Sequence, residues 1–256
     1  MNEQNLISIQ KYAVKNKLST FAVIKKINSG ELQTIKKDGK EFIVDTSTQE
    51  KEIKKSSMRR AEFSVEDKEI FLEILNSCEY GTLCLFDKQF PYSVPLNFAY
   101  LEDKIIFHGA NEGKKITLIE QNQNASFNIV KPYSFIPSYF SNTTSACPAT
   151  QFFASILING KVSILTQAHQ KAKALEALMQ KMQPQKGYES IDETNPIYTK
   201  MLTKTAVFAL EIENFTIKIK AAQNLTKEAK ENLFNKLEQR GEEIDLKTIE
   251  LIKKHS

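Results

Sequence analysis

The chain has 256 residues, 41% of them hydrophobic and 26% charged, enough for one large globular domain or two smaller ones. No apolar run reaches the length of a membrane-spanning helix, and Met1-Asn2-Glu3-Gln4-Asn5-Leu6 lacks the basic start and apolar core of a signal peptide, so a cytoplasmic location and no membrane partner are expected. Cys78, Cys84 and Cys147 are an odd number without Cys-x-x-Cys spacing, which argues against a disulfide framework or a zinc centre, and no metal is expected.

Charge is unevenly spread. Residues 1–60 carry 13 basic and 7 acidic side chains, whereas the remaining chain carries 22 and 24. A basic module beside a near-neutral body fits a polyanion partner as well as it fits a solvated lysine-rich extension.

Within that module, Ser8 is placed to cap a helix over Ile9 to Lys15, with Ile9, Tyr12 and Ala13 on one face. After a turn at Asn16-Lys17-Leu18, Ser19 is placed to cap a second helix through Ile27, with Val23, Ile24 and Ile27 as its buried stripe. Leu32 to Lys36 and Glu41 to Val44 then read as a hairpin around Asp38-Gly39. Residues 47–57 are polar, without apolar periodicity, and read as a linker.

The main body opens with a helix signalled by Ser64-Val65-Glu66-Asp67 in capping-box style, with Ile70, Phe71, Ile74 and Leu75 as its apolar stripe. Short strands are predicted at Thr82 to Phe86, Tyr92 to Tyr100, Lys104 to His108, Ala125 to Val130 and Phe152 to Ile164, and a last pair at Ala206 to Ile212 and Phe215 to Lys220. Pro95 should mark an edge or a bulge. Helices are predicted at Glu112 to Gln121 and Gln167 to Met182, and an amphipathic pair broken at Gly241 runs from Thr226 to His255. Many short strands with tight turns point to an antiparallel barrel, mainly β with flanking helices, rather than a doubly wound sheet.

The most telling segment is Lys104 to Leu118. An alternating apolar strand ends at His108, passes Gly109, Ala110 and Gly113, and enters a helix that begins with Lys114 and Lys115. Uncapped N–H groups and the positive end of the helix dipole favour an anion there, and two lysines add full charges. This is a phosphate pocket of the kind that holds a nucleotide-like cofactor. His108 is either a proton relay or a neutral residue hydrogen-bonded at a strand end. Cys147 reads as a reactive thiol or, more in keeping with its residue type, a buried structural cysteine. Tyr133, Phe135, Tyr139 and Phe140 fit either a pocket for a planar substrate or a loop packed on the barrel.

Two resemblances follow from these residues. Residues 7–45 resemble the excisionase/MerR-like winged helix-turn-helix family, which implies that Ser19, Thr20, Phe21 and Lys25 face DNA bases or nearby backbone and that Lys36, Lys37 and Lys40 meet phosphates. A docking module without a nucleic-acid role has the same layout. In the body, Met58-Arg59-Arg60, Glu79-Tyr80-Gly81-Thr82-Leu83, Pro91 to Phe98, Ile106 to Ala110, Glu112-Gly113-Lys114-Lys115 and Cys147-Pro148-Ala149-Thr150 resemble, in that order, the pyridoxamine 5′-phosphate oxidase-related split-barrel flavoproteins, specifically their nitroimidazole-reductase (Nim-type) branch.

That resemblance implies a six-stranded antiparallel split β-barrel, a homodimer and FMN at the subunit interfaces. It places Val94, Pro95, Leu96 and Asn97 along the flavin ring, Phe107, His108, Gly109 and Ala110 beside the ring and ribityl chain, and Gly113, Lys114 and Lys115 at the phosphate. Cys147, Thr150, Phe152 and Ser155 are implied to cover the cofactor from the other subunit. The expected organisation is a winged helix-turn-helix-like module at 1–46, a linker at 47–57, a flavin domain at 58–222 and a helical extension at 223–256. The expected function is an FMN-dependent oxidoreductase acting on a small electrophile of nitroaromatic type, with a flavin- or redox-responsive DNA-binding regulator as the alternative. Haem or deazaflavin is the competing cofactor.

Overall fold

The structure is a computed structural model that describes residues 6–16, 18–37, 39–44, 54–55, 60–65, 67–141 and 144–255. It divides into two compact units, residues 1–52 and 53–256.

The first unit runs β1 (Leu6–Ser8), α1 (Ile9–Lys15), α2 (Thr20–Asn28), β2 (Thr34–Lys37) and β3 (Lys40–Val44), with sheet order β1-β3-β2. Both helices start where a serine hydroxyl can accept an orphan backbone N–H. Ser8 Oγ accepts from Lys11 N at 3.3 Å and Ser19 Oγ from Ala22 N at 3.1 Å. Ala13, Val23 and Ile43 form the buried centre, with Ile7, Ile9, Tyr12, Ile27 and Leu32 packed around it. Ile24 is the exception to the predicted stripe. It is 44% exposed, because the small sheet covers only the face that carries Val23 and Ile27. Lys17 in the predicted turn and Asp38 in the hairpin lie outside the described residues.

The second unit begins with β4 (Lys54–Lys55), β5 (Ser64–Val65) and α3 (Lys68–Ser77). Most of the predicted linker, and Met58, Arg59 and Glu66, lie outside the described residues. The predicted capping box is not used. Ser64 and Val65 pair as β5, and Asp67 caps α3 instead, its Oδ1 accepting from Glu69 N at 2.7 Å and Ile70 N at 3.4 Å. A carboxylate at the cap also suits the positive helix end. Ile70, Phe71, Ile74 and Leu75 are buried as one stripe.

The chain continues through β6 (Tyr80–Leu85), β7 (Tyr92–Asn97), β8 (Ala99–Leu101), β9 (Lys104–Ala110), α4 (Lys114–Gln121), β10 (Asn124–Ile136), β11 (Thr150–Ile164), α5 (Ala168–Met182), α6 (Pro196–Lys204), β12 (Thr205–Lys220), α7 (Lys227–Arg240) and α8 (Glu243–Lys254). Seven strands form the sheet path β7-β6-β10-β11-β12-β9-β8, with β4 and β5 added beside β12. Its two end strands, β7 and β8, are consecutive in the chain and joined only through Phe98. A single-residue link cannot span an open seven-stranded sheet, so the sheet curls. The result is a half-barrel consistent with a split barrel.

The strand count differs from the six expected because Phe98 splits the predicted Tyr92 to Tyr100 segment. The predicted final pair is instead one continuous strand, β12, whose register with β11 shifts between Asn159 and Gly160. Pro95 lies in β7, an end strand of the path, where a proline is best tolerated. The helix α6 and the strand β1 were not expected; Asn195 capping and Pro196 at the first helical position are the local signals for α6. The segment after Val130 is partly a continuation of β10, in which Tyr133 is buried and Phe135 is exposed. Phe140 is buried and Tyr139 exposed, so these four aromatics do not line one pocket.

Inward residues of the sheet, among them Leu83, Phe107, Phe127, Ile129, Ile156, Ile158, Phe208 and Leu210, form one core with Phe71 and Leu75 of α3. Leu233 and Leu237 of α7 and Ile249 and Ile252 of α8 belong to the same cluster. The turn between α7 and α8 is at Gly241, as predicted, in the left-handed conformation. No helix among the described residues is long and apolar enough to cross a membrane.

A buried carboxylate fastens the C-terminal helices to the sheet. Asp245 is fully buried and accepts from Arg240 Nε at 2.9 Å, from Arg240 Nη2 and from Ser134 Oγ. Arg240 also donates to the Phe135 carbonyl at 2.9 Å, and Thr248 Oγ1 accepts from Ser134 N at 2.9 Å. The Arg240 guanidinium holds the Asp245 carboxyl below the ordinary carboxylate range. Its stabilisation is therefore present at neutral pH and is lost as acid titrates it below that range. Removing the carboxylate leaves Arg240 and Ser134 without their partner. Asp245→Ala is expected to lower stability by about 3 kcal/mol in a denaturant titration at pH 7, and the deficit to shrink as the pH falls below about 4.

Candidate functional site

The strand-turn-helix segment forms as the sequence predicts, though the helix starts two residues later, at Lys114. Gly113 precedes it at φ 108°, a conformation open chiefly to glycine, and no side chain caps the helix. The first N–H groups of α4 therefore face outward without a side-chain acceptor.

Lys115 lies back over the end of β9. A Cβ on Gly109 would stand 2.5 Å from Lys115 Nζ, so glycine makes room for the ammonium. Below it are aromatic faces, with Nζ 4.9 Å from the Phe208 ring centre and 5.9 Å from that of Phe107. Those two rings stack at 5.1 Å. Lys115 has no carboxylate or hydrogen-bond partner among the described residues, and burial lowers its pKa below the ordinary lysine value. Cation–π contacts recover only part of the lost hydration. An anion arriving at this place meets a half-buried positive charge and free backbone donors together.

Lys114 is placed differently. Its ammonium pairs with Asp87 at 2.5 Å and lies 5.7 Å from the Tyr92 ring centre. Asp87 was not singled out from the sequence, and no local signal links it to Lys114 across the intervening strands. The two lysines are thus unequal: one charge is offset at the surface, the other is not.

His108 points outward from β9 opposite Val207. Desolvation, and then the nearby Lys115 charge, hold its pKa below the usual histidine value. Gly109 and Ala110 continue the strand past β8, which ends opposite Ile106. Phe107 is fully buried, so only its backbone is available to a ligand. Across the sheet's seam, Val94 and Leu96 of β7 are half-buried and packed on the core, while Pro95 and Asn97 are exposed. Asn97 Nδ2 donates to the Glu79 carbonyl at 3.0 Å.

The remaining predicted residues lie elsewhere on the unit. Ala110 pairs with Thr205 at one end of β12, whereas Phe153, the neighbour of Phe152, pairs with Lys220 at the other. Cys147 is exposed, which corrects its reading as a buried cysteine; it sits in a turn that the barrel core does not cover. Thr150 starts β11, Phe152 is buried and Ser155 is half-buried on the outer face. In the first unit, Ser19, Thr20, Phe21 and Lys25 lie on the first turns of α2 and are exposed, as are Lys36, Lys37 and Lys40 on the hairpin. Phe21 is 79% exposed.

A curled antiparallel half-barrel with the uncapped start of α4 beside its seam is consistent with the split-barrel class of protein. The chain belongs to the pyridoxamine 5′-phosphate oxidase family, whose model matches residues 67–219. Among solved structures, the chain is similar to the flavocytochrome Anf3 from Azotobacter vinelandii, with 19% identity, a TM-score of 0.54, and coverage of 64% of this chain and 72% of that one. It is also similar to the FAD and haem binding protein from Mycobacterium smegmatis, with 16% identity, a TM-score of 0.52, and coverage of 61% and 73%. A Bacteroides thetaiotaomicron protein assigned to 5-nitroimidazole antibiotic resistance aligns at 22% identity and a TM-score of 0.49, over 61% of this chain and 86% of that one. No curated protein matches the chain in sequence.

Because Lys115 is one cause of the low His108 pKa, Lys115→Gln should raise the His108 titration midpoint towards the ordinary value of about 6.5, read by NMR of the imidazole protons. Anion binding at Lys115 should move it in the same direction.

Proposed function

We propose that the second unit binds FMN and acts as an oxidoreductase of the nitroimidazole-reductase type, on a small electrophilic substrate such as a nitroaromatic. The observation that carries the reading is Lys115, a half-buried ammonium held over Gly109 beside an uncapped helix start, within a chain of the pyridoxamine 5′-phosphate oxidase family. Such a place suits a phosphate monoester. The family membership and the order of the sequence motifs support a flavin as its carrier, and the flavin and haem proteins named above share the fold. The substrate class rests on analogy with the Nim-type branch.

When bound, the flavin supplies the hydride or electron transfer that no protein side chain can perform. Lys115 and the α4 backbone N–H groups hold the phosphate, and Lys114 assists once it leaves Asp87. Val94, Pro95, Leu96 and Asn97 offer a strand edge to the ring. Gly109 and Ala110, with the backbone of Phe107, line the ribityl side. His108, neutral at pH 7 with its lowered pKa, presents a ring nitrogen that can accept a proton or orient the substrate. In the homodimer, Cys147, Thr150, Phe152 and Ser155 of each protomer cover the flavin of its partner and exclude water.

A second reading has its own observation. The first unit joins two serine-capped helices to a hairpin whose tip carries Lys36, Lys37 and Lys40, and α2 presents Thr20, Phe21 and Lys25 to solvent. This supports a winged helix-turn-helix module that contacts DNA, and hence a flavin- or redox-responsive regulator. Two heads per dimer fit paired half-sites. A gel-shift titration is expected to give DNA affinity that falls steeply with salt, and salt-independent or absent binding removes the regulator.

The flavin reading is tested by an absorption spectrum and an FMN titration of the full chain. A yellow protein, or one that binds added FMN, is expected; a haem band or a colourless protein that refuses FMN ends the proposal. Loss of a charge-assisted contact costs about 1.5–3 kcal/mol, so Lys115→Gln should weaken FMN by at least roughly tenfold, and Lys114→Gln by much less because Asp87 already offsets that charge.

A further inference from the structure

The outward face of α2 is more apolar than its surroundings require. Val23 is fully buried, and Ile27 packs with it on the core side. On the other side stand Thr20, Phe21, Ile24 and Lys25. Phe21 is 79% exposed and Ile24 44%. Three residues apart on a helix, the two side chains are surface neighbours and form one apolar step. A lone apolar residue on a surface needs no explanation, but an adjacent pair beside lysines suits a ligand that sets an apolar feature among negative charges.

The charges argue for the class of that ligand. Residues 1–60 carry 13 basic and 7 acidic side chains. Lys25 shares the face of Phe21, and Lys36 and Lys40 are exposed on the hairpin. Two acidic groups of the unit are already engaged: Glu31 pairs with Lys26 at 2.6 Å and accepts from Ser29 Oγ at 2.9 Å, and Glu41 accepts from Thr34 Oγ1 at 2.8 Å. Lysines spread over a helix and a hairpin match the evenly spaced phosphates of a duplex better than one acidic peptide segment. Within a duplex, sequence is read at base edges by the first residues of the helix in the major groove. The usual hydrogen-bonding readers are missing there. The helix α2 holds no Arg or Gln, and Asn28 is its last residue. Ser19 Oγ is occupied as the cap, accepting from Ala22 N at 3.1 Å. The base-edge feature that an apolar side chain recognises is the C5-methyl group of thymine.

We propose that Phe21, backed by Ile24, reads thymine methyl groups in the major groove, so that the first unit selects A·T-containing duplex DNA, with Lys25, Lys36 and Lys40 on its phosphates. The inference rests on the DNA-binding reading of the first unit and adds the base that it selects. It does not need the flavin reading of the second.

Gel-shift titrations of the full chain against alternating dA·dT and dA·dU duplexes of equal length test it, since uracil differs from thymine only in lacking that methyl group. Burying one methyl-sized group changes affinity about fourfold, so the dA·dT duplex is expected to bind about three- to fourfold more tightly. Phe21→Ala should abolish the difference and leave the salt dependence unchanged, because the side chain carries no charge to set against a phosphate. Lys36→Gln should weaken both duplexes equally and reduce the salt slope by about one. Equal, salt-dependent affinity of the wild-type chain for the two duplexes overturns the proposal and leaves the DNA reading standing; binding to neither removes both. A thymine preference that survives Phe21→Ala also overturns it. If that variant in addition changes the oligomeric state in sedimentation, the exposed pair is a contact between copies of the chain.

Discussion

The architecture depends on one covalent constraint. The sheet path begins at β7 and ends at β8, and those strands are separated by Phe98 alone. The two edges must therefore meet, and the sheet can satisfy this only by curling. Phe98 itself is fully buried, packs edge-on to Phe127 at 5.3 Å, and carries the Lys181 ammonium 3.5 Å from its ring centre. Lys181 is tied in turn to the Leu75 carbonyl at 2.8 Å, and burial pulls its pKa down to about 8. The join between the sheet's ends is thus held from inside by aromatic packing and from outside by α5 and α3.

The candidate site inherits its position from this curl. Because β8 is short, β9 runs on past it with Phe107 to Ala110, and the chain then turns at Gly113 into α4. The strand edge of β7, the outward imidazole of His108 and the Lys115 ammonium all lie on elements that flank the same seam. None of them is positioned by a long loop, and a ligand held there would meet groups whose backbone is fixed by pairing on at least one side.

What the sequence disclosed, and what it did not, divides by range of interaction. The stripe of α3, the serine caps of α1 and α2, the Gly241 break and the strand-turn-helix at Lys104 to Leu118 are set by neighbours a few residues apart, and periodicity and cap chemistry read them directly. The split at Phe98 and the fusion of the last two strand segments into β12 depend on pairing between distant strands, which local patterns do not encode. Ser64 illustrates the competition: its cap signal is real, but pairing of Ser64 and Val65 with β12 claims the residues and Asp67 takes over the cap. At the candidate site, glycine and lysine spacing marked the turn from β9 into α4. The inequality of Lys114 and Lys115 depended on Asp87, 27 positions upstream of Lys114.

The C-terminal helices have a consequence for how this molecule is made. Leu233, Leu237, Ile249 and Ile252 are members of the same core as the barrel strands, and Asp245 latches them to Ser134. During synthesis, an emerging barrel would present uncovered oil to water until residues near 252 had left the ribosome. Its final sealing is therefore a late event, and the interval before it is when a chaperone has most to shield.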